Sequence, residues 1–451
     1  MKNFLLYFLF FIPIISFAQD HFLGINTSRK TTLLNADNNP AELTNLSNKI
    51  DISILHISTQ ASNNKVNILD FLESDKNFKD YKDDLLRGDK PFSTTINLKV
   101  IGPGVAYRVN DWGFGIKTTL NAHISLTDID PKIIDLIEED LPQLDILDKD
   151  GNQRVTAVGY ETIDFSIARN IFENENIKLS GGATFKLLFA QAYANGGIEK
   201  FNATVEKDAN DNIILRNANA RVDIAYAGLL GDSFEDFDYK YLSSGISGLG
   251  LDFGLNYLLK NKDTKYPYKL NIGLSVKDIG SLTFDKNSER QTYELNIPDT
   301  EDFDASQFED AENAEEVIEI IENSNYFSSN TSKNDIEVSL PTSLNIYADY
   351  QVYNNLFASF QMRQSLVKNS KNTVLPTYSS YAIIPRYSGK NFETYLPLSV
   401  STISDFSAGL GFRFGGFFYL GSSSAISALA ADQLKQIDVQ IGFRVGIGSS
   451  N

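Results

Sequence analysis

The sequence predicts an all-β fold, a single antiparallel transmembrane β-barrel of about 14 strands with an N-terminal plug and helical outer loops. Three observations carry that expectation. Apolar and polar residues alternate with period two through runs of roughly 9–15 residues, longer than the usual 5–6 of a globular strand and sufficient to cross a bilayer. Lysine, arginine and histidine sit near the middle of those runs on the polar face, an arrangement foreign to a soluble sandwich and natural to a wall with a polar lumen. Tight turns and long insertions connect the runs in alternation.

The N-terminus sets the address. "MKNFLLYFLFFIPIISFAQ" combines Lys2, an apolar run from Phe4 to Ile15 and a small-x-small site at Ser16-Phe17-Ala18. Residues 1–18 are therefore expected to be a cleaved signal peptide, because the apolar run is too short to span a bilayer. Absence of cysteine excludes disulfides and thiolate chemistry, and a net charge of −18 argues against nucleic acid as a partner. Residues 19–48, "GINTSRKTTLLNADNNPAELTNLS" at their centre, lack strand alternation. They are expected to fold inside the lumen as a plug, ahead of a barrel over 49–451.

The strands follow in order. In "INLKVIGPGVAYRV" the apolar positions are Ile96, Leu98 and Val100, then Val105, Tyr107 and Val109, a change of parity across Gly102-Pro103-Gly104. Proline cannot donate to a ladder and marks a bulge or an edge. An extra residue there would restore the outward face, either as a plain bulge or as a kink that opens a side portal. Trp112 to Leu126 places Trp, Phe, Ile, Thr, Leu, Ala, Ile and Leu on one face and Gly, Lys, Thr, Asn, His and Ser on the other. Similar alternation covers 177–189, 249–257, 270–277, 356–363 and 406–414, and the last strand runs from Val439 to Ile447. Long connections at 59–92, 127–156 and 297–334 carry helical periodicity in Ile68, Leu69, Phe71 and Leu72, in Ile133, Ile134, Leu136 and Ile137, and in Val317, Ile320 and Ile321. These read as amphipathic caps over the barrel mouth.

Residues able to carry chemistry are few. The chain has three histidines, and His123 with Ser125 lies on the face assigned to the lumen, away from lipid substrate. The acidic run 299–322 lacks the spaced ligands of a calcium loop. Glycines in "GLGLDFG" (248–254) and "WGFGIK" (112–117) read as aids to barrel curvature. Lys99, Lys117, Lys186, Arg363, Arg413 and Arg444 share the polar faces with Asp164, Asp252 and Asp349, a set suited to pairing across the lumen and holding the plug. No catalytic residue, metal site or cofactor is expected, and the chain does not read as an enzyme.

At "NADNNPAEL" (35–43) the sequence resembles the segment before the first strand of long-chain fatty-acid transporter-like outer-membrane barrels. "VIGPGVAYRV", "GLSVKDIGSLTF", "LPTSLNIYADYQV" and the closing "QIDVQIGFRVGIG" are similar to an uncharacterised Bacteroidota family of outer-membrane barrels. The type IX secretion shuttle barrel belongs to the same broad group. The resemblance implies fourteen strands, a lumenal hatch matched here by Asn39, Pro40 and Ala41, and a side opening at an early-strand kink, matched by Gly102, Pro103 and Gly104. The expected function is then an outer-membrane barrel that binds or passes a small hydrophobic ligand through a plugged lumen. The alternative is a structural or secretion-associated interaction barrel. Expected partners are outer-membrane lipid, a hydrophobic small molecule and a cell-envelope protein.

Overall fold

The computed structural model describes residues 21–71, 84–85, 87–88, 90–130, 143–147, 152–209, 212–228, 245–262, 268–284, 289–308, 314–332, 335–367 and 374–449. The expected signal peptide and the helical periodicity at 133–137 lie outside them.

Fourteen antiparallel strands close into one barrel. They are β1 (Asn48–Asn63), β2 (Phe92–Val109), β3 (Trp112–Ile129), β4 (Asn152–Glu173), β5 (Ile177–Lys207), β6 (Gly248–Leu259) and β7 (Leu270–Phe284), then β8 (Ser343–Tyr353), β9 (Leu356–Ser365) and β10 (Ser380–Ser388). The last four are β11 (Phe392–Tyr395 with Leu398–Ser401), β12 (Asp405–Ala408 with Leu410–Phe414), β13 (Phe418–Ser422) and β14 (Gln436–Ser449). β14 returns to β1, with Ile447 opposite Ile50 and Ile437 opposite Ala61. Closure removes the sheet edges, so the wall leaves no row of unpaired backbone groups facing an apolar solvent.

Burial is inverted relative to a water-soluble protein. Ile52, Ile96, Phe114, Phe165, Leu251 and Phe360 are exposed, while Asp51, Thr119, Asp164, Asp252 and Asp349 are buried. Adjacent residues show the split: Ile124 is 50% exposed and His123 8%. An apolar band of this extent on a soluble protein would aggregate; against acyl chains it is the favourable face. Both ends of the barrel chain lie with the tight turns at 110–111, 174–176 and 354–355. Aromatic side chains gather at that end: Trp112 stacks on Phe114 at 6.2 Å beneath Arg169, and Phe418 meets Phe443 at 5.1 Å. Such a girdle suits the membrane–water interface.

The parity change in β2 is a bulge. Ile101 faces Thr119 and Gly104 faces Lys117, so Gly102 and Pro103 together oppose Thr118, whose hydroxyl donates to the Pro103 carbonyl at 3.3 Å. Ile101 is buried and Val105 exposed, as the extra residue requires. Gly102 has φ +118°, and a Cβ there would lie 2.7 Å from the Ile54 carbonyl. β1 carries its own extra residue against β14 between Ser53 and Leu55. The ladder between β1 and β2 resumes on both sides of the bulge.

Three loop expectations need correction. β1 runs to Asn63 and β3 to Ile129, which shortens the first two long connections to 64–91 and 130–151. The segment 297–334 holds the expected helix, Ala314–Asn323, but is not one loop, since it also holds the strand Phe327–Ser332. β5 is 31 residues long, roughly 100 Å at about 3.3 Å per residue. Its first half pairs with β6, and its second half leaves the barrel to pair with Ile213–Gly228. Glu289–Ile297 and Phe327–Ser332 add to that sheet, around a core of Ala203, Val205, Ala218, Leu295, Ile297 and Phe303. In sequence the alternation over 190–228 is faint, because the segment mixes Asn, Gly and Ala with weak apolar contrast.

Deletion of Pro103 removes the extra residue and turns Val105, Tyr107 and Val109 toward the lumen. The expected outcome is failure to refold into a β-rich, protease-resistant barrel in detergent, whereas Pro103→Ala, which keeps the residue count, refolds.

Candidate functional site

The segment from His21 to Leu46 is almost wholly buried and touches strands around the whole barrel. Its local shape follows from its residues. Asn39 caps the 3-10 helix Pro40–Asn45 by accepting from the Ala41 N–H at 3.0 Å, and Pro40 takes the first helical position, where its missing N–H costs nothing. The short helix Leu33–Asn38 precedes it.

Two anchors of different chemistry hold this plug. At the first, Asn39 donates to the Leu255 carbonyl of β6 at 2.8 Å. Glu42 accepts from Asn45 at 2.9 Å, Asn256 at 3.0 Å and Asn271 at 2.8 Å, and from the Tyr347 hydroxyl. Pro40 and Ala41 lie directly on the facing pair Gly182 and Gly254. A Cβ at Gly254 would come within 2.0 Å of Asn39, and one at Gly182 within 2.6 Å of the Ala41 nitrogen. Gly113 is likewise covered by Leu43, where a Cβ would lie 2.5 Å from the Leu43 carbonyl. The strand glycines read as aids to curvature therefore make room for the plug.

The second anchor is ionic. Asp37 receives Lys99 at 2.8 Å and Lys117 at 2.9 Å, with Lys277 at 3.6 Å. Burial by itself would push the Asp37 carboxyl up, but Lys117, Lys277 and Lys99 outweigh it and hold the group well below the usual carboxylate range. Lys117 also pairs with Asp164, and Lys186 bridges Asp252 at 2.9 Å and Asp278 at 2.5 Å. Farther round the wall, Arg386 bonds Asp349, Arg413 meets Glu393 at 2.7 Å, and Arg444 meets Asp51 at 2.7 Å. Ser28 of the plug donates to Glu393 at 2.8 Å.

Above the plug, toward the long-loop end, lies a cavity of about 100 Å³. Phe22, Leu34 and Asp37 form its floor, and Leu340, Pro341, Leu375 and Pro376 its roof. Its walls carry Lys99, His123, Lys186, Lys277, Asn345 and Arg363. On the lipid side of β2 to β5, nearer the short turns, an open apolar groove of about 510 Å³ is lined by Val105, Tyr107, Phe114, Ile116, Phe165 and Phe185.

The residues singled out from sequence fall in two places. Asn39, Pro40 and Ala41 bear on β5 and β6, whereas Gly102, Pro103 and Gly104 sit in β2, where Leu33 would be 2.9 Å from a Cβ on Gly104. The plug touches both, yet neither group lines the cavity. His123 Nδ1 meets Asn97 Oδ1 rather than Ser125. Asp37, Glu42, Lys277 and Asn345 were missed. The available signal was the pair of carboxylates flanking Asn39 within a nine-residue segment, facing a lumen rich in lysine.

Asp37→Asn leaves Lys99, Lys117 and Lys277 without their shared carboxylate and should loosen the plug by about 3–5 kcal/mol. Amide exchange over residues 33–46 should accelerate on the order of a hundredfold or more. Since the folded Asp37 is depressed, its contribution is present above the ordinary carboxylate pKa and lost only as pH falls through the lowered value. Plug protection in the unmutated protein should therefore be full from neutrality to about pH 4, decline progressively below it, and be lost only as pH passes the lowered value.

No curated protein matches the sequence. Among solved structures, the chain is similar to the toluene transporter TodX of P. putida at 8% identity and a TM-score of 0.43, over 91% of this chain and 93% of that one. It is similar to the monoaromatic hydrocarbon channel CymD at 10% identity and a TM-score of 0.41, over 96% of each. A FadL homologue of Pseudomonas aeruginosa aligns at 11% identity and a TM-score of 0.33, over 95% of this chain and 99% of that one. A family model matches residues 40–423, and the chain belongs to that family, the family of unknown function DUF5723.

Proposed function

We propose that this chain is an outer-membrane barrel of a Gram-negative cell that holds a small solute with an apolar part between its plug and its outer roof, and passes it when the plug yields. The observation that carries the reading is the space itself. Protein interiors leave few voids larger than a water, yet about 100 Å³ stands open here between a charged floor at Asp37 and an apolar roof at Leu340 and Leu375. The chain binds without catalysis. His123 is engaged by Asn97, and Ser125 Oγ has no hydrogen-bond partner among the described residues, so His123 is not aligned to activate it.

The space is smaller than the roughly 150 Å³ cavity that takes up benzene. A wholly apolar ligand therefore needs the plug or roof to move before it passes. Asn39, Pro40 and Ala41 act in this reading as the fixed end of the plug. Gly102, Pro103 and Gly104 act where Leu33 seals β2, with the lipid-side groove nearby. The partners are membrane lipid and the solute. A second reading, docking of a cell-envelope protein, rests on the sheet that β5 carries beyond the barrel, whose rim exposes Glu294, Asp299, Glu301, Asp302 and Asp304.

Native mass spectrometry of protein purified from its own membrane in mild detergent should show one small molecule with an apolar part per barrel. Asn121→Phe, which fills the cavity from β3, should deplete it at least tenfold. An empty barrel, or one accompanied instead by a stoichiometric protein, would sink the solute reading in favour of docking.

A further inference from the structure

We infer that the lipid-side groove across β2 to β5 binds one anionic phospholipid of the periplasmic leaflet, with an acyl chain in the groove and the phosphate at Arg169. The site lies outside the lumen and stands independently of the solute reading.

The groove follows from strand register. Val105, Ile116, Phe165 and Phe185 stand opposite one another on β2 to β5 and form one bank. Tyr107, Phe114 and Ile167, two positions nearer the short turns, form the other. Between the banks the side chains of Ala106 and Thr184 are buried on the inner side, so the floor is backbone. The ladder is unbroken there: Ala106 pairs with Gly115, Gly115 with Ser166, and Ser166 Oγ meets Thr184 Oγ1 at 2.8 Å. The groove is therefore a recess in the outer surface and not a passage. It holds about 510 Å³ and crosses the strands for roughly 14 Å, at about 4.8 Å per strand.

Apolar fit alone selects no occupant, because an acyl chain gives up equally apolar neighbours to enter. Selection has to come from the polar end. The next row toward the turns places Trp112 between Val109 and Arg169. Arg169 lies over the Trp112 ring at 5.0 Å, and Lys49 over the Tyr107 ring at 6.0 Å, one cation at each end of the same lip. Tryptophan and tyrosine settle at headgroup level, so both cations stand at the depth of the lipid phosphates. That end faces the periplasm, where such barrels keep their short turns.

The charges there are unbalanced. Among the described residues neither Arg169 nor Lys49 has a carboxylate within ion-pair distance, although the chain carries a net charge of −18. Lys260 at the same end does pair, with Glu173 at 2.6 Å. A guanidinium over an indole still presents N–H donors at its edge, in the fork that matches a phosphate. Lys49 adds positive potential along the lip.

Native mass spectrometry of the full-length protein in non-ionic detergent, titrated with phosphatidylglycerol or phosphatidylethanolamine, tests the site. One phosphatidylglycerol should be retained per barrel, and more tightly than phosphatidylethanolamine. Lys49→Gln should weaken retention about fivefold and Arg169→Gln about tenfold or more. Val105→Trp, which fills the groove from β2, should weaken it as much as Arg169→Gln. Lys269→Gln removes a like cation, over Tyr350 at 4.5 Å, from another part of the same belt and should change nothing. Circular dichroism of every variant confirms the barrel. Equal retention of the two lipids, or equal loss in Lys269→Gln and Arg169→Gln, identifies annular lipid only and overturns the site. Retention unchanged in Arg169→Gln and Val105→Trp overturns it as well. Asn121→Phe acts inside the lumen and should leave the phospholipid in place, so the lipid and the solute are lost separately.

Discussion

Every strand of this barrel presents one face to lipid and one to the lumen, and the lumen is filled with protein rather than water. That constraint governs the rest. The polar row inside each strand must find its partners among other buried groups, because an unpaired buried charge costs several kcal/mol and an unpaired hydrogen-bonding group roughly 1–3. The wall supplies many of those partners itself, and the plug supplies others. Asp37 answers three lysines of β2, β3 and β7, Glu42 answers the amides of β6 and β7, and Ser28 reaches the carboxylate of β11. Plug and wall are complementary as an ionic solid is, by alternation of sign, so neither makes sense without the other.

Shape is matched as closely as charge. Where the plug approaches the wall, the wall has glycine: Gly113 under Leu43, and the pair Gly182 and Gly254 under Ala41 and Asn39. Around the plug, inward tyrosines cover glycines of neighbouring strands, Tyr347 over Gly273, Tyr395 over Gly411 and Tyr419 over Gly442. A tyrosine laid over a glycine fills the width of a strand and shields its backbone, a device also used in designed sheets. The bulges of β1 and β2 serve the same fit. They keep the outward row apolar while bending the wall around Leu33 and Leu34, which pack with Ala106 and Ile101.

Much of the fold could be read from the chain because its strongest signal is local. Parity along 96–126 identified the wall, its two faces and the extra residue in β2 without reference to any distant contact. The sheet beyond the barrel escaped because its buried face is built largely from small residues; Ala218, Ala220 and Ala225 carry little of the apolar contrast that alternation depends on. The candidate site escaped for another reason. Asp37 meets Lys117 across 80 positions, and Lys277 comes beside the β8 residues Ser343 and Asn345 only through strand pairing, so the sequence shows the carboxylates of the plug but not the partners they meet. The glycines were visible but ambiguous, since a strand glycine signals a bend or a close approach equally well.

The two anchors of the plug differ in a way that bears on how a closed lumen opens. Glu42 is 3% exposed and is held by neutral donors, Asn45, Asn256, Asn271 and the Tyr347 hydroxyl. Asp37 lines the cavity, with Lys277 at 3.6 Å and Lys99 and Lys117 at 2.8 and 2.9 Å. The ionic anchor therefore borders open space, whereas the amide anchor is packed with the Asn39-Pro40 cap against strand glycines. An ion pair beside open space answers to the ionic strength around it and a buried amide contact does not, so the two anchors of the plug respond to different conditions.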